Sequence, residues 1–333
     1  MRAYCFKSLK EAYSTLLNDI LTDGIEDPIE SEGKCNCIDL GPTAFEMEGH
    51  LKHDIFFSRS QMLYCLVDAI YVWSGRNDSE VMSYYKDFFK VCCGEYGFFE
   101  NALGKRIYEL HGNQIDFCYR SLKMYPYNAK SILFLMGSEW DLTDCTIYCQ
   151  FMRRNDYLDI TINYRASDFI QYMQNDIFLY SIILEIMAKW LGLKPGKIIY
   201  FANRLYITKS YESAAIKMQE HYQNLNVLKQ YEERESYIDR GAIRTTFFRA
   251  IDLLIQWNRK KNIHIEHCKR ELQEANQPDF VRVWLEILLA EIIRKNLSIN
   301  EYKEFLDSLE DSIYKFYMEF FDSYQVDEKL EVI

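Results

Sequence analysis

A cysteine becomes a nucleophile when it can exist as a thiolate, and that takes nearby cations or hydrogen-bond donors. The chain has ten cysteines. Most cysteines in apolar stretches are small core hydrophobes, so Cys145 in DCTIYCQF says little by itself. The residues that follow it give it weight. Gln150-Phe151 comes five residues on, then YRASDF with Arg165 and Asp168, then a long apolar run opening at Asp176. Pro195-Gly196 and Arg204-Leu205-Tyr206 close the series. A thiol in the company of two guanidiniums, two carboxylates and a phenol has the cations that lower a thiol pKa and groups that can move protons.

Other clusters carry less. His264, His267 and Cys268 have helical spacing, but no second pair completes a zinc set, so no metal is expected. Cys35 and Cys37 lack a partner CxxC, and no glycine-rich phosphate loop occurs.

The scaffold for those residues is partly legible. Residues 8–22 show helical spacing and stop before Gly24. Residues 25–60, with Pro28, Gly33, Gly41 and Pro42, suit turns and short strands. Residues 60–74 predict a helix closing at Gly75, and 113–124 predict another. SILFLMG (131–137) reads as a buried strand. CTIYCQFMRR (145–154) and YLDITINYRAS (157–167) read as strands joined by a hairpin at RRND, because β-branched and aromatic residues alternate with polar ones. DIFLYSIILEIMAKWLGL (176–193) is interrupted by Asp176, Glu185 and Lys189, so it predicts a buried central helix and no membrane span. KPGKIIYFANRLYI supplies a turn and a strand. From about residue 209 strand signals vanish, and 210–235, 240–261, 278–296 and 299–323 follow a helical period. This places a catalytic domain at 1–209 and an all-helical extension at 210–333.

The 333 residues are 49% apolar and 16% aromatic, enough to bury a substantial core. A formal charge of -11 makes a poor partner for nucleic acid, whose binding rests on neutralised phosphates. No secretory signal is visible, and the cysteines suit a reducing, cytoplasmic setting.

Taken together, the motifs resemble the thymidylate synthase superfamily. That family shows a cysteine with Gln-Phe five residues on, then R-S-x-D-x-x-x-G-x-P-x-N, a helix, a Pro-Gly turn and H-x-Y. Upstream, LVDAIYVWSGRND (66–78) is similar to the family helix E-L-L-W-F-L-x-G-x-x-N, and LGKR (103–106) to its Y-G-K/R loop. GNQIDFCYRSLKMYPYNAKSILF is similar to D-Q-helix-L-K-x-P-x-S-R-R-x-I. Seven segments agree in order over residues 10–210.

The resemblance implies an α+β thymidylate synthase fold, a mixed twisted sheet flanked by helices, here with an all-helical C-terminal extension. It implies 5,10-methylenetetrahydrofolate as co-substrate and a homodimer with back-to-back sheets, in which Lys130 reaches the partner's phosphate site. Cys145 would add to C6 of a pyrimidine, so that C5 becomes enamine-like and attacks the folate methylene. Arg165 would lower the thiol pKa and meet the phosphate. Gln150, Asp168 and Tyr206 would contact the nucleotide, and Asp168 also the folate. Asp68 stands for a glutamate that organises water and proton transfer. Phe88 and Phe89 stand where a tryptophan lies near the folate.

Departures from the pattern bear on the substrate. The base-reading Asn of the family falls on Asp176 without a gap, with Asn175 beside it. An Asn amide pairs with uracil O4 and N3–H. A carboxyl group accepts from the 4-amino group of cytosine, with a proton shared at N3. The serine after the arginine is Ala166, the Arg-Arg pair is Ala129-Lys130, and the sugar-contacting His is Arg204. Tyr172 and Gln174 replace a Gly and a Pro. Room is left for a ribose 2'-hydroxyl. The combination resembles the cytidylate hydroxymethylases of nucleoside-antibiotic pathways, such as those for mildiomycin and bacimethrin. It implies a CMP 5-hydroxymethylase, in which water adds to the exocyclic methylene to give 5-hydroxymethyl-CMP and tetrahydrofolate. A dCMP hydroxymethylase and an atypical thymidylate synthase are alternatives. So is a non-catalytic nucleotide-binding scaffold, which Ala129, Ala166, Tyr172 and Gln174 would suit and the retained Cys145, Gln150, Arg165, Asp168 and Tyr206 would not.

Overall fold

The computed structural model describes residues 1–29, 35–48, 56, 58–93, 97–136, 145–224, 238–260 and 262–323. In chain order the elements are β1 (Arg2–Phe6), α1 (Leu9–Asp23), β2 (Ile25–Ile29), β3 (Cys35–Asp39), β4 (Thr43–Glu48), α2 (Arg59–Ser74), α3 (Glu80–Ser83), α4 (Phe88–Cys92), α5 (Leu103–Glu109) and α6 (Gln114–Met124). Then come β5 (Ile132–Phe134), β6 (Thr146–Arg154), β7 (Tyr157–Tyr164), β8 (Ser167–Asp168), a π-turn (Phe169–Met173), α7 (Gln174–Leu191), β9 (Lys194–Ala202) and β10 (Leu205–Thr208). Among the described residues six helices follow: α8 (Glu212–Asn224), α9 (Ile243–Arg259), α10 (Ile265–Glu274), α11 (Asp279–Asn296), α12 (Ile299–Ser308) and α13 (Ile313–Ser323).

The chain forms two compact units that do not follow its order. One joins residues 1–57 to 107–229, and the other joins 58–106 to 230–332.

The first unit holds both sheets. The larger runs β1-β4-β9-β7-β6-β5, with β1–β4 and β7–β9 parallel and the other pairs antiparallel. Alternation along β6, β7 and β9 sends Cys149, Phe151, Leu158, Ile160, Ile162, Tyr164, Ile198 and Tyr200 to a fully buried face. The opposite face is half-buried at Tyr148, Gln150, Thr161, Asn163, Ile199 and Phe201. Helix α7 packs on β7 and β9. It is buried nearly all round and ends where Gly192 turns left-handed, φ 70°. Asn155, at φ 54°, makes the tight turn between β6 and β7. A second sheet runs β2-β3-β10-β8.

Of SILFLMG (131–137), expected as a buried strand, the described residues 131–136 supply the short edge strand β5, and Gly137 lies outside the described residues. Leu133 enters the core while Phe134 is 51% exposed, because an edge strand of three residues is covered on one side. Helix α8, beyond residue 209, packs on α1 in this unit.

The second unit is helical. Twelve of the sixteen residues of α2 are buried, and the helix packs against α9, α11 and α13. Trp73 stacks on Phe247 with ring centroids 6.2 Å apart, and Trp284 meets Phe280 edge-on at 5.2 Å. The stretch expected as one helix over 299–323 is two helices, broken at Leu309, where ψ is 150°. Among the described residues no helix is long and apolar enough to cross a membrane.

Candidate active site

Cys145 stands immediately before β6, half-buried. Its carbonyl accepts from the Arg165 backbone N–H at 2.9 Å, so the start of β6 and the end of β7 are tied together there. This brings the two residues side by side although nineteen positions of chain separate them. Burial pushes the Cys145 thiol above the usual thiol range, the Arg165 cation pulls it down, and the Asp176 and Asp168 carboxylates push it up again. The sulfur therefore rests as a thiol in a field of opposed charges.

Asp168 is 3% exposed and caps the π-turn. Its Oδ1 accepts from Ile170 N at 2.9 Å and Gln171 N at 3.0 Å, and its Oδ2 accepts from the Thr208 hydroxyl at 2.8 Å. Burial raises its pKa, and those donors oppose the shift. The carboxylate thus locks β8, the π-turn and β10 into one frame. Next to it, Ser167 Oγ lies 2.6 Å from the Tyr200 hydroxyl, and Ser167 N donates to the Arg204 carbonyl at 2.8 Å. Ala166 is half-buried.

Asp176 lies in the first turn of α7 and is half-buried, whereas Asn175 is 5% exposed. The Asp176 charge acts on Cys145, Tyr164, Tyr172, Tyr180 and Tyr200 alike. Tyr206 pairs along its backbone with Asp168 and Asp39. Burial, Asp168 and Cys145 raise the pKa of its phenol. Arg204 donates from Nε to Asp39 at 2.7 Å and from Nη2 to Asp27 at 2.9 Å. Burial works against its cation, and those carboxylates more than restore it.

Gln150 donates from Nε2 to the Ala129 carbonyl at 2.8 Å, which fixes the loop before Lys130. Lys130 itself is exposed. Cys145, Arg165, Asp168, Asp176 and Tyr206 therefore converge in the sheet unit. Asp68, Phe88 and Phe89 belong to the helical unit. Asp68 is half-buried on α2 and acts on Tyr71. Phe88 is 40% exposed and Phe89 is 5% exposed, in a ring cluster with Phe99.

Asp27, Asp39 and Ser167 escaped the sequence reading, since each acts through a partner distant in the chain. Tyr172 was legible only as a replaced glycine, although its spacing four residues before Asp176 puts the two on one helix face. Among the described residues no group of three or more His, Cys, Asp or Glu could hold a metal ion.

A profile of the family described as "Thymidylate synthase" matches residues 69–305. The thymidylate synthase of Streptococcus sanguinis (strain SK36) is 29% identical over 140 residues, which cover 39% of this chain and 48% of that protein. The chain thus spans about half the length of that relative. The deoxyuridylate hydroxymethyltransferase of Bacillus phage SP01 is 22% identical over 98% of each chain. Among solved structures, thymidylate synthase from T4 phage superposes with a TM-score of 0.54 at 17% identity, covering 73% of this chain and 91% of that one, which shows a shared fold.

Proposed function

Because the chain belongs to the thymidylate synthase family, we propose that it transfers the methylene carbon of 5,10-methylenetetrahydrofolate to C5 of a pyrimidine nucleotide and finishes the product with water, as a hydroxymethyl group. The observation that carries the reading is the 2.9 Å backbone tie that sets Arg165 beside Cys145, with the Asp168 and Asp176 charges acting on the same thiol. The likeness to a hydroxymethyltransferase along 98% of both chains supports water over hydride in the last step.

Cys145 adds to C6 of the bound base, and C5 gains the electron density to attack the methylene carbon. Arg165 favours the thiolate and receives the phosphate, with Lys130 reaching the partner's phosphate in a homodimer. Asp176 reads the base edge. Gln150 and Asp168 hold the frame, and Tyr206 and Arg204 face the sugar beside Ala166. The family resemblance assigns Phe88 and Phe89 to the folate and Asp68 to ordering water, and all three stand in the helical unit. The half-buried outer face of the larger sheet suits the back-to-back dimer.

On the chemistry of Asp176 the substrate is CMP, since a carboxyl group accepts from the cytosine 4-amino group. A second reading, deoxyuridylate, is favoured by the phage relative. A neutral carboxyl group could serve it too, accepting from N3–H and donating to O4.

The test is tritium release from C5 of labelled CMP, dCMP, UMP and dUMP, with and without methylenetetrahydrofolate, together with the mass of each product. Folate-dependent conversion of CMP to a hydroxymethyl nucleotide is expected. Conversion of dUMP alone selects the second reading, and a methyl product refutes hydroxymethyl transfer. Sedimentation at micromolar concentration should show a dimer.

A further inference from the structure

The segment from Asp168 to Leu184 is buried almost throughout, through Phe169, Ile170, Met173, Gln174, Ile177 and Phe178. Its half-buried exceptions are Gln171, Tyr172 and Asp176. Tyr172 and Asp176 are four positions apart on continuous helical backbone, so their side chains rise from one face, one turn above the other. Asp168, Cys145, Tyr211 and Asp176 all act on the Tyr172 phenol, which sets it among the groups around the nucleophile. Tyr172 in turn acts on Tyr206. A phenol ring thus enters the site on the same helix face as Asp176, from a π-turn, a backbone form concentrated at functional positions.

We infer that Tyr172 is a positioning residue for the water that completes the product. This rests on the hydroxymethyl reading above. Once C5 carries the exocyclic methylene and C6 still carries sulfur, the water oxygen bonds to the methylene carbon. The electron pair of the exocyclic double bond moves to restore C5=C6, and the C6–S bond breaks with its pair on sulfur. The proton that water gives up ends on that sulfur, which returns Cys145 to the thiol. A neutral phenol both accepts and donates hydrogen bonds, so it can hold a water with a lone pair aimed at the methylene carbon. Burial keeps the Tyr172 phenol protonated well past neutral pH, so it remains in that form at working pH.

The test uses Tyr172→Phe, which keeps the ring and removes only the oxygen. Two products are measured from the same reaction, run with an added small thiol: tritium released from C5, which precedes the water step, and hydroxymethyl nucleotide, which follows it. The ratio of hydroxymethyl product to tritium is expected to fall roughly tenfold or more, the worth of a lost buried hydrogen bond. Tritium release should stay near wild type, and a thiol adduct on the exocyclic carbon should account for the difference. An unchanged ratio overturns the role of Tyr172, as does a parallel loss of both signals, which marks a structural residue. Wild-type protein that releases tritium without making hydroxymethyl nucleotide overturns the hydroxymethyl reading, and this role with it.

Discussion

The helical unit and the surroundings of Cys145 treat charge in opposite ways. In the helical unit, charges close on each other in pairs. Arg76 holds Asp78 and Asp252 at 2.5 Å each, Arg294 clasps the buried Glu291 through Nε at 2.8 Å, and Lys260 meets Glu271 at 2.8 Å. At the Cys145 thiol of the sheet unit, one guanidinium and two carboxylates act together, and they pull its pKa in opposite directions. Pairing serves stability, whereas unresolved opposition tunes a reactive group. Substitutions in the two units should accordingly fail in different ways.

The largest effect is expected from Cys145→Ala. Turnover should drop by roughly a thousandfold or more, while CMP binding and the unfolding midpoint stay near wild type. If C5 exchange persists, Cys145 is not the nucleophile and suspicion passes to Cys149, although its side chain is fully buried. In the wild type, the raised thiol pKa means that the thiolate fraction grows as pH rises, so kcat/KM should climb on the alkaline side of neutral. In Arg165→Ala that climb should move to higher pH, because the group lowering the pKa is gone. A climb left in place would exclude Arg165 from activating the thiol.

Next comes Asp322→Ala in the helical unit. Asp322 pairs with Arg59, whose side chain is 8% exposed, and also accepts from the Tyr302 hydroxyl at 2.7 Å. Stranding a buried guanidinium costs about 3 kcal/mol, which denaturant unfolding would reveal. A loss well under that would place the Arg59 charge in contact with water.

Asp176→Asn returns to the sheet unit. An amide suits uracil where a carboxyl suits cytosine, so the preference between CMP and UMP should move about ten- to a hundredfold toward UMP in kcat/KM. Equal ratios for mutant and wild type would remove Asp176 from base reading. The smallest effect belongs to Arg259→Ala. Its pair with Glu80 is exposed, and no resolvable change in unfolding midpoint is expected.

The sequence made the local elements legible wherever one strong period ruled. Helix α2 begins and ends within a residue of its expected limits, because Ser58 caps it and Gly75 turns left-handed after it. The hairpin of β6 and β7 was readable from RRND and the alternating faces. The π-turn was not, since no residue pattern distinguishes it from an ordinary first turn of α7. Helix α10 was missed because only Cys268 and Leu272 bury it. In the site, Cys145, Arg165 and Asp176 could be named because motif spacing places them. Asp39 and Asp27 could not, since their link to Arg204 spans 165 and 177 positions. The grouping of α2 with the last helices was equally hidden, for periodicity reports that a face is apolar and not which element covers it.

That grouping has a consequence for synthesis. Helix α2 leaves the ribosome with twelve of its sixteen residues destined for burial, yet its partners α9, α11 and α13 are still untranslated. At roughly 5–20 residues per second, the wait is on the order of ten seconds. During that interval the nascent chain presents a sticky apolar helix, which makes it a natural client for chaperones that bind at the exit tunnel and makes its yield in a foreign host sensitive to their supply.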